Sequence, residues 1–442
     1  MKKIISVLCA MAIVFSFSAC SIAGLDPQSL ISPPQANEDQ QAIYQLLTSD
    51  DGEMNFIYPK NGDYRSAVIM HDFDGDEIEE AVGLSSDSDG GIEIVFMIKK
   101  DGVWETINSF KNSGTQVDKI MFADFSGDGV PEMIVGWGSP LSMTATITIY
   151  GYQDNQIVEY NIGEQYNEFV VTDFDADGKN EMFIATVFAA AEAEDTQDKQ
   201  ALGKLYVLKN GEISLQSIVS LNNSVVIYNS CSFIDISEEE KGLVLEGVTA
   251  EGSLVNEVLT INDDTLLSPF SWDIHQKEYN YFLRPASLAI SAEDIDNDGI
   301  IEFPKISLQK FVDDEINSNS VNYTVDWLRF SYSGAISEIV LRNIISTDDN
   351  FVLTVPSDND NIVCIKSDEN CYEISEYMYD SDGEFSYKKV YLRLKVFSIS
   401  EWENYEDEYY EFLLKTEEDK VLAVKTVIKN EYNLIDSIEI WS

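Results

Sequence analysis

HDFDGDEIEE, His71–Glu80, puts six carboxylates into ten residues, directly after the apolar run SAVIM at 66–70. Like charges crowded into one turn repel unless water or a cation offsets them. A single copy fits a solvated turn equally well. The arrangement returns, however, as DFSGDGVPE from Asp124, DFDADGKNE from Asp173 and DIDNDGIIE from Asp294, matching DFDGDEIEE from Asp72. A fainter echo, DISEEEKGL from Asp235, keeps the first carboxylate and places Ser237 third. The five starts are separated by 52, 49, 62 and 59 residues, a spacing that signals a repeat architecture.

The common pattern is D-x-[DS]-x-D-x-x-x-E. Side chains at positions 1, 3 and 5 converge when the backbone coils around a point, and the position-7 carbonyl and position-9 acid close the shell. The candidate ligands are Asp72, Asp74, Asp76, Ile78 and Glu80 in the first loop and Asp124, Ser126, Asp128, Val130 and Glu132 in the second. In the third they are Asp173, Asp175, Asp177, Lys179 and Glu181, and in the fourth Asp294, Asp296, Asp298, Ile300 and Glu302. An all-oxygen set of this size suits Ca²⁺, which takes six to eight oxygens. Gly129, Gly178 and Gly299 at position 6 allow the sharp bend, and Glu77 replaces glycine in the first copy. An EF-hand would need Glu at position 12, where Gly83, Val135, Ile184 and Lys305 stand instead.

Short apolar runs flank every loop: YRSAVIM, VDKIMFA, NEFVVT and ASLAIS before, EAVGL, EMIVG, EMFIA and EFPKI after. Such runs bounded by turns read as buried strands. In the first repeat GIEIVFMIKK and VWETINSF follow, joined by the hairpin signal Asp101-Gly102. KIMFADF, EMIVGWG, TATITIYGY and IVEYNIG repeat the scheme. Four strands in about 50 residues is the blade period of a β-propeller. The expected fold is therefore all-β, a propeller of four-stranded blades. A short helix is expected at EDQQAIYQLL after the cap candidate Asn37, and AAAEAEDTQDKQA at 189–201 has helical composition.

The loops between strands resemble the FG-GAP and VCBS repeats of integrin α-subunits and bacterial surface proteins, over about residues 50–340. The Phe-Gly and Gly-Ala-Pro elements of those repeats are largely absent, GWGSP at 136–140 being the nearest trace. The resemblance implies a propeller with Ca²⁺ between two strands of a blade. It also implies that Asp72, Asp124, Asp173 and Asp294 are structural, on the face opposite the partner surface.

Residues 1–19 read as a secretion signal: Lys2 and Lys3, then the apolar IISVLCAMAIVFSF, then small residues. Cys20 after Ser18-Ala19 resembles a bacterial lipobox, which implies cleavage before Cys20 and a lipid on its thiol. Plain secretion is the alternative. Residues 20–37 form a flexible tether, 38–345 the propeller, and 346–442 a C-terminal β-rich module or further blades. Removing Lys2 and Lys3 takes the formal net charge from −51 to −53, a field that repels nucleic acid. Cys364 and Cys371 flank a polar turn and either form a cross-strand disulfide or are two unrelated thiols.

Two functions fit the sequence. One is a calcium-stabilised, non-catalytic binding or adhesion lipoprotein on the extracytoplasmic face of a bacterial membrane, presenting a propeller face to a protein or glycan. Trp104, Trp137, Trp272 and Trp327 are its aromatic candidates, against ordinary core packing, and Tyr405, Tyr409 and Tyr410 lie in an acidic tail. The other is a secreted propeller enzyme, a hydrolase or lyase acting on polysaccharide. No G-x-S-x-G, HExxH or phosphate-cradling loop supports it, and the two histidines, His71 and His275, read as structural. No catalytic residue is assigned.

Overall fold

The computed structural model describes residues 38–48, 55–86, 91–138, 145–187, 201–209, 212–262, 265–268, 282–308, 322–330, 336–368, 370–382, 385–406, 408–416, 419–429 and 432–441. The signal segment, Cys20, the tether, Asn37, Trp272, His275 and 189–200 lie outside the described residues.

The described residues form six antiparallel sheets in chain order. The first holds β1 (Val68–His71), β2 (Glu80–Ser86), β3 (Ile92–Lys100) and β4 (Val103–Asn112). The second holds β5 (Gln116–Ala123), β6 (Glu132–Gly138), β7 (Ala145–Gln153) and β8 (Gln156–Tyr166). The third holds β9 (Glu168–Thr172), β10 (Glu181–Val187), β11 (Ala201–Lys209) and β12 (Glu212–Ser220). The fourth holds β13 (Val225–Asp235), β14 (Lys241–Thr249), β15 (Ser253–Asn262) and β16 (Thr265–Leu267), with β17 (Arg284–Pro285) paired to β15. In each, strands pair in sequence order, as expected of propeller blades. The protein is an all-β propeller.

Why the second strands are apolar throughout follows from their two-sided burial. On β10, Met182 and Ile184 join the core shared with the second sheet, while Phe183 and Ala185 face the fourth. On β6, Met133 and Val135 meet the first sheet and Ile134 the third. Successive side chains alternate faces, so a strand between two neighbours needs no polar position. The fourth strand of a blade is an outer edge, and β12 accordingly alternates with exposed residues.

The last two sheets depart from the simple meander. β18 (Phe303–Leu308), β19 (Tyr323–Phe330), β20 (Ile336–Ser346) and β21 (Phe351–Val355) form the fifth, extended by β27 (Ile438–Ile440). Its first strand is reduced to one bridge, Glu293 to Glu302. The sixth contains β22 (Ile362–Asp368), β23 (Cys371–Tyr379), β24 (Phe385–Ser398), β25 (Glu411–Lys415) and β26 (Lys420–Thr426), in the order β22-β23-β24-β26-β25. One core joins Phe351 and Leu353 of the fifth sheet to Cys364, Tyr372 and Leu392 of the sixth. The sequence position 345/346 falls inside β20.

Two short α-helices occur among the described residues. α1 (Glu38–Leu46) buries Ile43 against the first sheet. α2 (Ile399–Glu403) starts at a capping box between Ser398 and Glu401. Among the described residues no helix is long and apolar enough to cross a membrane.

The disulfide alternative fails on register. Cys364 stands opposite Ile374, and Cys371 opposite Asp368. Residues 371 and 374 are an odd number apart, so the two sulfurs lie on opposite faces, and they form no disulfide with each other. Trp104, Trp137 and Trp327 are buried, which removes them from the exposed aromatic candidates. His71 stacks on Phe122 at 3.7 Å between ring centroids, a packing role at the junction of the first two sheets.

Candidate metal loops

Loops one to three connect the first and second strands of their blades, and loop four leads into β18. Their geometry is shared. The position-1 carboxylate is an internal acceptor: Asp72 accepts from the N–H groups of Gly75 and Glu77 at 2.8 and 2.9 Å. Asp124 accepts from Gly127, Asp128 and Gly129. Asp173 and Asp294 each accept from the residues at positions 5 and 6. The position-5 aspartates, Asp76, Asp128, Asp177 and Asp298, each accept from the N–H at position 7, at 2.8–2.9 Å. Ile78, Val130, Lys179 and Ile300 therefore serve the loop with their amides.

The position-9 glutamate folds beneath the loop. Glu80, Glu132, Glu181 and Glu302 are buried and accept from the N–H of the apolar residue at position 2, which is Phe73, Phe125, Phe174 or Ile295. The second residue of the pattern thus matters as much as the ninth, because its side chain enters the core while its amide holds the acid. A left-handed backbone occurs at position 6, as expected, and also at position 4: Gly75, Gly127, Ala176 and Asn297. Two left-handed residues in six coil the chain tightly enough to aim positions 1, 3 and 9 at one point.

Ligand atoms of Asp72, Asp74 and Glu80 all lie within 4.8 Å of one another, as do those of Asp173, Asp175 and Glu181, and of Asp294, Asp296 and Glu302. Asp76, Asp177 and Asp298 stand outside these triads. The second loop has Ser126 at position 3, whose hydroxyl lies 3.5 Å from Asp124, so its donor set carries one charge fewer. Hard oxygen donors at this spacing fit a divalent cation such as Ca²⁺ in loops one and three, and the second supplies oxygens of the same kind. The echo at Asp235 is different: Lys241 Nζ lies 3.2 Å from its carboxylate, and Leu243 occupies position 9.

The first three loops stand in a row. A Cβ on Gly75 would sit 2.9 Å from Val130 of the second loop, and one on Gly127 2.7 Å from Lys179 of the third. Asn180 donates through its amide and its side chain to the Asp124 carbonyl, at 3.1 and 2.9 Å. In loops one and two glycine at position 4 is favoured both by its φ of 78° or 74° and by the close approach of a side chain from the neighbouring loop.

Burial pushes the carboxyls of Glu80 and Glu181 up to about 7, reinforced by the neighbouring aspartates. A carboxyl raised above its unfolded value favours the folded state when protonated, so stability is lost as pH climbs from about 4.5 to 7. In chelator the melting temperature is expected to fall over that interval, and Glu80→Gln with Glu181→Gln should reduce the slope, leaving the share of Glu257, which burial also pushes up to about 7. Cation uptake near pH 6.5 should release protons into weak buffer and release almost none at pH 8.5, read with a pH indicator.

An aromatic group on the sixth sheet escaped the sequence reading except for its tyrosines. Trp402 and Tyr405 stack at 5.5 Å, and Phe412 lies 6.1 Å from Trp402. Tyr409 and Phe412 are exposed, and Lys425 Nζ sits 3.0 Å from the Tyr409 ring centroid. Phe412 and the tyrosines are close in sequence, but Lys425 reaches Tyr409 only through the β25–β26 pairing.

No protein-family model and no curated protein matches the chain. Solved structures do. A Bacillus licheniformis rhamnogalacturonan lyase is 11% identical, with 78% of this chain and 82% of that one covered, at a TM-score of 0.29. Aleuria aurantia lectin in complex with α-methyl-L-fucoside is 8% identical over 83% and 96%, at 0.26. Chaetomium thermophilum Sqt1 is 11% identical over 86% and 97%, at 0.28. These scores are too low to carry an argument, and the architecture rests on the order and packing of the sheets themselves.

Proposed function

We propose that this protein is a calcium-stabilised, non-catalytic binding module of the FG-GAP/VCBS kind. A lipid on Cys20 would hold it at the extracytoplasmic face of a bacterial membrane, where it presents one propeller face to a glycan or protein. The observation that carries the reading is the row of loops one to three. Their acids turn inward on their own backbones, where a cation fixes strand register, and are committed to structure before any substrate could use them. Calcium modules of extracellular proteins bind at about 10⁻⁴–10⁻³ M, within reach of an external medium. The exposed rings of Tyr409, with the Lys425 ammonium over one face, and of Phe412 offer a sugar apolar surface beside a charge.

The test is a glycan array and a pull-down of surface proteins with the full chain, each in calcium and in chelator. Calcium-dependent retention of a glycan or protein, weakened by Tyr409→Ala with Phe412→Ala for a glycan, is the expected result. Release of reducing sugar from polysaccharide would replace this reading by the enzymatic one.

A further inference from the structure

In the fourth loop three of the carboxylates are already engaged by a side chain of the protein. Arg329 of β19 donates to Glu302 Oε1 through Nε and Nη2, at 2.9 and 2.6 Å. The same Nη2 lies 3.3 Å from Asp296 and 2.9 Å from Asp298. One guanidinium therefore reaches positions 3, 5 and 9 together. The other oxygen of Glu302 accepts from Ile295, so both oxygens of the closing acid are engaged.

Strand register sets the fourth loop apart at the residue opposite its closing acid. Phe303 pairs with Leu328, so Glu302 faces Arg329 one step further along the ladder. The same step from Ala81–Met97, Met133–Tyr150 and Met182–Tyr206 puts Ile98 opposite Glu80, Gly151 opposite Glu132 and Val207 opposite Glu181. Three loops thus face an apolar residue or a glycine, which offers the acid no partner. The fourth faces a cation with a rigid fork of donors matched to carboxylates.

We propose that Arg329 takes the place of the divalent cation in the fourth loop, so that the protein binds its ions at loops one to three and closes the fourth without metal. A bound Ca²⁺ and this guanidinium compete for the same oxygens of Asp296 and Glu302, and the tethered group wins because it is always present at the site. The fifth sheet, whose first strand is only one bridge, then keeps its leading loop ordered when external calcium falls. The inference rests on the calcium reading for its contrast between loops.

The experiment counts Ca²⁺ bound per full chain, by equilibrium dialysis with metal analysis, for the unaltered protein and for Arg329→Gln. Three ions in the first and four in the second are expected. Equal, non-zero counts overturn the inference and leave the calcium reading standing. No ion in either protein overturns both, whereas none in the unaltered protein and one in the variant overturns only the calcium reading. Should Arg329→Gln fail to fold, Asp294→Asn in the otherwise unaltered chain decides: an unchanged count supports the inference, and the loss of one ion overturns it. Asp173→Asn, which disables the third loop, should lower the count by one and calibrates the assay.

Discussion

Chelation is expected to lower the midpoint of thermal unfolding by about 5–10 °C relative to millimolar calcium. The figure follows from linkage: at tenfold above its dissociation constant, one site contributes about 1.4 kcal/mol, and three contribute about 4 kcal/mol. A domain's net stability is about 5–15 kcal/mol, so this is a large share of it. For chains of 150–250 residues one kcal/mol moves the midpoint by about 2–4 °C, and by less in a longer chain. Magnesium should restore little, because it demands octahedral geometry and dehydrates reluctantly, whereas these loops offer flexible multi-oxygen sets. The row arrangement adds a directional expectation. Val130 seats on Gly75 and Asn180 on Asp124, so emptying the second loop loosens a neighbour on either side. Asp124→Asn should therefore cost more than Asp72→Asn, which lies at the end of the row. Calorimetry of both variants in calcium checks the order, and an unchanged midpoint on chelation of the parent protein would remove the stabilising role altogether.

How far the fold could be read from sequence depended on whether its cause was local. The acidic loops are local: nine residues contain the carboxylates, the bend and the apolar second position, so the four copies and their flanking strands stand out. The hairpin at Asp101-Gly102 is local in the same way, with both residues left-handed. Position 4 was missed because four different residues, Gly75, Gly127, Ala176 and Asn297, meet one backbone demand. Arg329 was missed because it lies 27 residues beyond Glu302, and only the β18–β19 register brings the two together. Cys364 and Cys371 misled for the converse reason. Proximity around a turn suggested a pair, but the ladder's parity separates them. The return of β27 to β21 across the whole sixth sheet likewise has no short-range signature.

Arg284→Leu is expected to be the most damaging single substitution away from the loops, costing about 3–5 kcal/mol, the range for breaking a buried ion pair. Arg284 is 1% exposed and its guanidinium is fully committed. It donates to Asn256 Oδ1 at 2.8 Å and to the Phe282 carbonyl at 3.1 Å, and also to the Ile290 carbonyl and the Glu246 carboxylate. Leucine matches much of the volume but supplies no donor. It would leave the Glu246 charge and two main-chain carbonyls without this partner in a poorly solvated site. The double variant Arg284→Leu/Glu246→Leu removes the orphaned charge as well and should recover a part of the loss, which a double-mutant cycle in urea would measure. Arg284 also ties the 282–290 segment to β15, immediately before the fourth loop begins at Asp294. Hydrogen exchange at the amides of Ile290 and Ile295 should accelerate in Arg284→Leu while that of Phe73 in the first loop stays as it was. A loss below 1 kcal/mol, or equal acceleration everywhere, would mean that this guanidinium is a passenger and that the approach to the fourth loop is held by packing of Leu288 and Ile290 against Val325 and Trp327 instead.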